Sequence, residues 1–172
     1  MKKLVLISLF ISLALNSYGQ ERAKNYDDIY VKFPTLAKFL GKWEYREGNK
    51  YFMIELTKYQ YITPSGKGGM DKINGTHTYS EQNSVLDASK ENEKTIKNGF
   101  YDYENKDENV LKFRFKESKY RLVYANGKLS YSPNNPNVLQ WSLEEPSNLL
   151  HPSESVKFIV PMNVKLTKVK ER

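Results

Sequence analysis

The sequence predicts an all-β fold: about eight to ten short antiparallel strands behind a short N-terminal helix, closed as a β-barrel or packed as a β-sandwich. Three observations carry this. Apolar and polar residues alternate with period two in segment after segment. Clusters of Gly, Asn, Pro and Ser separate those segments at hairpin-like intervals. No stretch after Gly41 keeps a helical apolar period for three turns. Parallel βαβ units are excluded on the same ground. An open sheet of so many strands leaves unpaired edges, so the strands must close on themselves or pack as two sheets.

The chain has 172 residues, 39% of them hydrophobic, with 13 Tyr, 8 Phe and 2 Trp, enough large side chains for the core of one domain. Cys is absent, which removes thiol catalysis, thiolate metal sites and disulfides, so packing must supply the stability. A formal net charge of +7 is too small for wholesale disorder.

Lys2 and Lys3 precede an uncharged, mostly apolar run from Leu4 to Leu15, and Ser17 and Gly19 put small side chains where a signal peptidase reads. Residues 1–19 are therefore expected to be a signal peptide cleaved before Gln20. As a helix the run spans about 18 Å, well short of the roughly 30 Å hydrocarbon layer, so no membrane span is expected. Cleavage leaves 153 residues and, with Lys2 and Lys3 removed, a net charge of +5. The mature protein is expected to be extracytoplasmic, periplasmic or secreted. Residues 20–34 read as a flexible polar arm and residues 35–172 as a single barrel domain.

Thr35 is placed to cap a short helix over Leu36–Leu40, with Pro34 outside it and Gly41 ending it in a left-handed conformation. Trp43 and Tyr45 then alternate with Lys42, Glu44 and Arg46. Gly48-Asn49 turns the chain into Phe52, Ile54 and Leu56, which alternate with Tyr51, Met53 and Glu55. Ile73, Gly75, His77 and Tyr79 share a face. Leu111, Phe113 and Phe115 interleave with Lys112, Arg114 and Lys116, whose charged side is expected to face solvent. Leu122 and Tyr124, then Leu129 and Tyr131, read as the arms of a hairpin turning at Asn126-Gly127. Val138–Leu143 carries Trp141, and Val156–Val160 leads through Pro161 into Val164–Val169. The spacers are 63–69, 89–94, 105–109, 132–137 and 144–155.

The segment Leu36-Ala37-Lys38-Phe39-Leu40-Gly41-Lys42-Trp43 resembles the entry to lipocalin-like barrels, where a short helix closes one end and Gly-x-Trp begins the first strand. The longer pattern from Phe39 to Tyr45, then Gly48-Asn49 and Phe52-Met53-Ile54-Glu55-Leu56, is similar to an uncharacterised secreted family of flavobacteria and their relatives. That family carries a domain-of-unknown-function label. Gly75-Thr76-His77-Thr78-Tyr79, Leu139-Gln140-Trp141, Ile159-Val160-Pro161 and Leu166-Thr167-Lys168 agree with it. The resemblance implies an extracytoplasmic lipocalin-like barrel and supplies no catalytic residue. It also implies a basic residue late in the last strand packed across the Gly-x-Trp indole, which joins Gly41, Trp43 and Lys168 in one structural motif. Lipocalins carry a long helix before the final strand, whereas Glu145–Ser155 here reads as a loop.

His77 and His151 are the only imidazoles, and neither has carboxylates spaced as a ligand set, so each is assigned a structural or solvent-exposed role and no metal or cofactor is expected. Adjacent acids such as Glu144-Glu145 and Asp27-Asp28 point to opposite faces of a strand, so a doublet offers one carboxyl per face. Asp102 with Glu104 is the remaining acid pair weighed for glycosidase chemistry. A Gly-x-Ser-x-Gly elbow is absent, and Gly66-Lys67-Gly68-Gly69 lacks the strand–loop–helix setting of a phosphate cradle. The basic residues Lys112, Arg114, Lys116 and Lys119, and Lys165, Lys168, Lys170 and Arg172, are not interleaved with exposed aromatics. No nucleic-acid partner is expected, and contact with anionic surface glycans is the minor alternative to plain solvated strand faces.

Three functional readings follow. The first is a secreted, non-enzymatic lipocalin-like protein binding a small apolar or amphipathic ligand, with Phe52, Tyr79, Phe113, Tyr124 and Trp141 as lining residues. The second is a structural or interaction module contacting envelope glycan or protein. An extracytoplasmic hydrolase is the weakest. Phe52, Leu56, Tyr79, Phe100, Leu111, Phe113, Phe115, Leu122, Tyr124 and Trp141 all compete for a small barrel interior, which favours filling over a roomy cavity. A closed apolar cavity of about 300 Å³ or more separates the first reading from the second.

Overall fold

The computed structural model describes residues 29–102, 107–148 and 156–170. The expected signal peptide, residues 20–28 of the arm and His151 lie outside the described residues. The chain divides into two compact units, residues 1–30 with 62–69 and residues 31–61 with 70–172. In the smaller unit, Thr63 closes a loop by donating its N–H to Gly68 O at 2.8 Å and accepting from Gly66 N–H at 2.9 Å. Gly66 sits at φ +73°. Gly66, Lys67 and Gly68 are thus part of a hairpin loop, and Gly69 begins the strand that follows.

The strands, in chain order, are β1 (Tyr30–Val31), β2 (Gly41–Glu47), β3 (Lys50–Ile62), β4 (Gly69–Glu81), β5 (Ser84–Ala88), β6 (Ile96–Asp102), β7 (Asp107–Phe115), β8 (Val123–Ser132), β9 (Asn135–Leu143), β10 (Ser147–Asn148) and β11 (Asn163–Lys168). In the larger unit the order β4-β3-β2-β11-β9-β8-β7-β6 returns to its start because β6 also pairs with β4. Eight antiparallel strands thus close on themselves, each beside the next in sequence, with first and last joined where Lys168 pairs with Trp43. Closure removes the long edges that an open sheet would expose. It decides for the barrel over the sandwich and is consistent with a lipocalin-like fold. The short strands β5 and β10 add to β4 and β8.

Period-two alternation sorts the side chains as expected along most strands. Phe52, Ile54 and Leu56 of β3, Leu111, Phe113 and Phe115 of β7, Leu139 and Trp141 of β9 and Leu166 of β11 are buried together with Trp43. The Gly48-Asn49 turn closes between the paired Glu47 and Lys50.

Other elements differ from expectation for identifiable reasons. The helix is a 3-10 helix over Pro34–Phe39 that buries Leu36 and Phe39, and Pro34 opens it while Thr35 makes no cap. Proline suits that place because the first helical N–H has no partner to lose. The end of the arm is also built in, since Phe33 N–H donates to Asp71 Oδ2 at 3.1 Å. Asn126-Gly127 is no turn: it lies in the middle of β8, and the chain reverses at Pro133-Asn134 between the paired Ser132 and Asn135. Val156–Val160 forms no strand. Its backbone is held instead by the buried Glu117 carboxylate, which accepts from Ile159 N–H and, at 2.9 Å, from Val160 N–H. Lys116, expected on the solvated face, is buried against Glu93.

Candidate functional site

Four of the five expected lining residues meet inside the barrel. Phe52 lies 5.2 Å from Trp141 and 6.4 Å from Tyr79 between ring centroids, and Phe113 and Phe115 lie 5.0 and 5.5 Å from Trp141. These tilted and edge-on contacts are those of a packed aromatic core. Both polar tips are satisfied: Trp141 Nε1–H donates to Pro161 O at 2.9 Å and Tyr79 O–H to Glu81 Oε1 at 2.5 Å. Burial, with Glu81 beside it, pushes the Tyr79 phenol up to about 12. Tyr124 does not join them. Val123, Ala125 and Leu129 take the inward phase of β8, so Tyr124 faces outward, with the Arg114 guanidinium 4.3 Å from its ring centre. Leu122, also expected inside, lies in a bend before β8 and is half-buried.

Beside this core, His77 organises a buried polar chain. Its Nε2 lies 2.9 Å from Asp87 Oδ2, its Nδ1 lies 2.8 Å from Thr95 Oγ1, and Ser89 Oγ lies 2.7 Å from Thr95 Oγ1. Ser89 Oγ also accepts the His77 backbone N–H at 2.8 Å. One ring proton on Nε2 satisfies every member: Ser89 donates to Thr95, Thr95 to Nδ1 and Nε2–H to Asp87. Asp87 further accepts from the Ser118 N–H and hydroxyl. Burial alone would raise its pKa, but the hydrogen bonds from His77 and Ser118 outweigh it and hold the carboxyl below the usual range. Serine, histidine and aspartate thus meet in space, with His77 and Asp87 inside the protein and occupied by one another.

Two concave surfaces lie on the outside of the sheet. The larger of the two, about 910 Å³, is lined mainly by outward residues of β6 to β9, with Phe113, Gly127 and Leu143 of the inward phase also reaching it, and is walled by Tyr61 and Lys72. Four cations line it, Lys72, Lys112, Arg114 and Lys128, against the one carboxylate of Glu144. Lys72 stands 3.9 Å from the Tyr61 ring centre, and desolvation lowers its pKa. Glu144 accepts from Asn126 Nδ2–H at 2.9 Å. A second concavity of about 540 Å³ is polar, lined by Tyr59, Asn74, Asn98 and residues 91–94 with Lys97. Glu91 and Glu93 both border it. Glu93 is held ionised by its hydrogen bond from Lys116, which lowers its pKa, the reverse of what a general acid needs.

A bulge in β6 creates the junction of the two concavities. Ile96 faces Gly75 while Gly99 faces Ile73, and on the other side Lys97 faces Arg114 while Phe100 faces Lys112, so β6 carries one extra residue against both neighbours. Asn98 takes it up at φ +57°. After the bulge the phase has slipped, so Phe100, expected inside, lines the outer groove. The sequence reading missed Tyr61, Lys72, Asn98 and Lys128 as neighbours. Its one available signal was Asn98-Gly99 inside a strand pattern, which marks a bulge.

Among the described residues no group of three or more His, Asp or Glu is placed to hold a metal, and no helix is long and apolar enough to cross a membrane. Neither a curated protein nor a solved structure matches the chain. A family model does match, over residues 1–169, and by that match the chain belongs to the family of unknown function DUF6705.

Proposed function

We propose that this protein is an exported, non-enzymatic binding module that holds an acidic saccharide in the basic groove outside the barrel. The observation that carries the reading is the groove lining, four cations to one carboxylate around a volume of ligand size. Two of the cations are held in place on aromatic rings, Lys72 on Tyr61 and Arg114 on Tyr124, so little side-chain freedom is lost when an anion arrives. Asn126 and Ser142 add groups that pair with hydroxyls. The ring contacts around Trp141 weigh against a small apolar ligand in the interior. The mutual occupation of His77 and Asp87, and the ionised Glu93, weigh against a hydrolase. Lys2, Lys3 and the apolar run after them support export.

Affinity electrophoresis through gels containing sodium polygalacturonate or neutral dextran tests this. The protein should be retarded by polygalacturonate alone, less so as salt rises, and the Lys72→Gln/Lys128→Gln variant should run freely. Equal mobility in both gels would overturn the reading. A small apolar molecule travelling with the protein in native mass spectrometry would favour the barrel interior instead.

A further inference from the structure

We infer that the basic groove and the polar concavity beside it are two subsites of one track for a linear acidic oligosaccharide, an inference that rests on the saccharide reading above. Three strands each contribute to both subsites at a spacing of two residues. On β3, Tyr59 lines the polar concavity and Tyr61 the basic groove. On β4 the corresponding residues are Asn74 and Lys72, and on β6 they are Asn98 and Phe100. Because β4 runs antiparallel to its neighbours, all three steps point the same way in space. Two residues of strand advance about 6.6 Å. The concavities therefore follow one another along the strand direction.

Asn98 lines both and stands where they meet. Its side-chain Oδ1 accepts from the Tyr59 hydroxyl at 3.2 Å, and its N–H donates to Asn74 Oδ1 at 3.2 Å. The bulge thus fixes an amide at the junction and ties it to the floor of the polar subsite. A ligand confined to the basic groove would need only its anionic group read. A chain that continues past Asn98 meets Tyr59, Asn74, Lys94 and Lys97 beside Glu91 and Glu93, a mixed set suited to hydroxyls, in which the two lysines are the groups that can meet a further acid.

The same cations would also attract single-stranded nucleic acid, but bases need open aromatic faces. Here cations stand on the Tyr61 and Tyr124 rings, and Glu91 and Glu144 interrupt the basic lining. Those features favour a saccharide.

Titration calorimetry of the full mature chain with galacturonate oligomers of two and six residues tests the track. The hexamer should bind about tenfold tighter or more, as expected when a second subsite engages within one ligand. The Lys94→Gln variant removes one exposed ammonium that lines the polar subsite alone. It should bring the hexamer down toward the affinity of the dimer and leave the dimer unchanged, whereas Lys128→Gln should weaken both. A hexamer no tighter than the dimer, or equal weakening of both by Lys94→Gln, would overturn the track and leave the saccharide reading standing. Failure of both oligomers to bind, with or without binding of a hexathymidylate strand, would overturn the two together.

Discussion

Lys168 pairs with Trp43 across the β11–β2 ladder and holds its ammonium 5.1 Å from the indole ring centre. The indole is fully buried, and its Nε1–H donates to Phe39 O at 2.9 Å, tying the 3-10 helix to the first barrel strand. Gly41 completes the arrangement: it enters β2 at φ +101°, where a side chain is strained, and a Cβ there would meet the Lys168 stem at 3.9 Å. One contact therefore joins the first strand, the last strand and the helix that covers Trp43.

Trp43→Ala should cost about 3–5 kcal/mol, through lost transfer energy and the cavity left behind. Lys168→Ala should cost about 0.5–1 kcal/mol, the range of a partly exposed cation over an aromatic face. Urea unfolding of the two variants beside the parent checks both. A Trp43→Ala midpoint within about 0.5 kcal/mol of the parent, as at surface sites, would remove Trp43 from this structural role.

Gly127 pairs with Phe113, and a Cβ at Gly127 would stand 2.2 Å from a carbon of that ring. The ring is buried and packed against Trp141, 5.0 Å between ring centres. Gly127→Ala should destabilise by about 1–3 kcal/mol, the usual cost of overpacking a core. Because the penalty belongs to the pair, Phe113→Leu should cost less in the Gly127→Ala background than in the parent. A denaturant double-mutant cycle reads that coupling, and strict additivity would mean the ring does not press on Gly127.

This glycine also shows where sequence reasoning stops. Asn-Gly is a strong turn signal because both residues tolerate positive φ, yet here glycine is needed for want of a side chain, and that reason appears only once β7 lies alongside. A turn placed there reverses the phase of the first half of β8 and puts Tyr124 inside, while Leu129 and Tyr131 beyond it keep the phase they have in the barrel. Period two was legible on β3 and β7, where uninterrupted alternation meets one buried face. It fails on β6, where one extra residue shifts Phe100 outward. The groove was illegible for the same reason: Lys72, Lys112 and Lys128 come from three strands, and only barrel closure makes them neighbours. Gly41, Trp43 and Lys168 were legible through the family resemblance, which links distant positions that periodicity cannot.

The mature N-terminus is expected at Gln20, because Ser17 and Gly19 supply the small side chains that a signal peptidase accepts. Intact-mass measurement of the protein recovered outside the cytoplasm checks this. A mass that retains residues 1–19 would remove the basis for export.

Asp87 should give the fold a specific acid sensitivity. In the native state the hydrogen bonds from His77 and Ser118 keep its pKa below the value of about 3.9 that an ordinary Asp has when unfolded. Between those two values the unfolded chain binds more protons than the folded one, so stability rises with pH across that window. The contribution is complete above about pH 5 and is lost as pH falls through the native pKa. Glu93, held low by Lys116, adds a loss of the same sign and serves as the control. Asp87→Asn should lower stability at neutral pH, because the amide no longer offers two charged acceptor oxygens to His77 and Ser118. It should also flatten the decline below about pH 4, while Glu93→Gln flattens it only in part. Urea unfolding across that range separates the outcomes, and an Asp87→Asn curve parallel to the parent would show that Asp87 has the same pKa folded and unfolded.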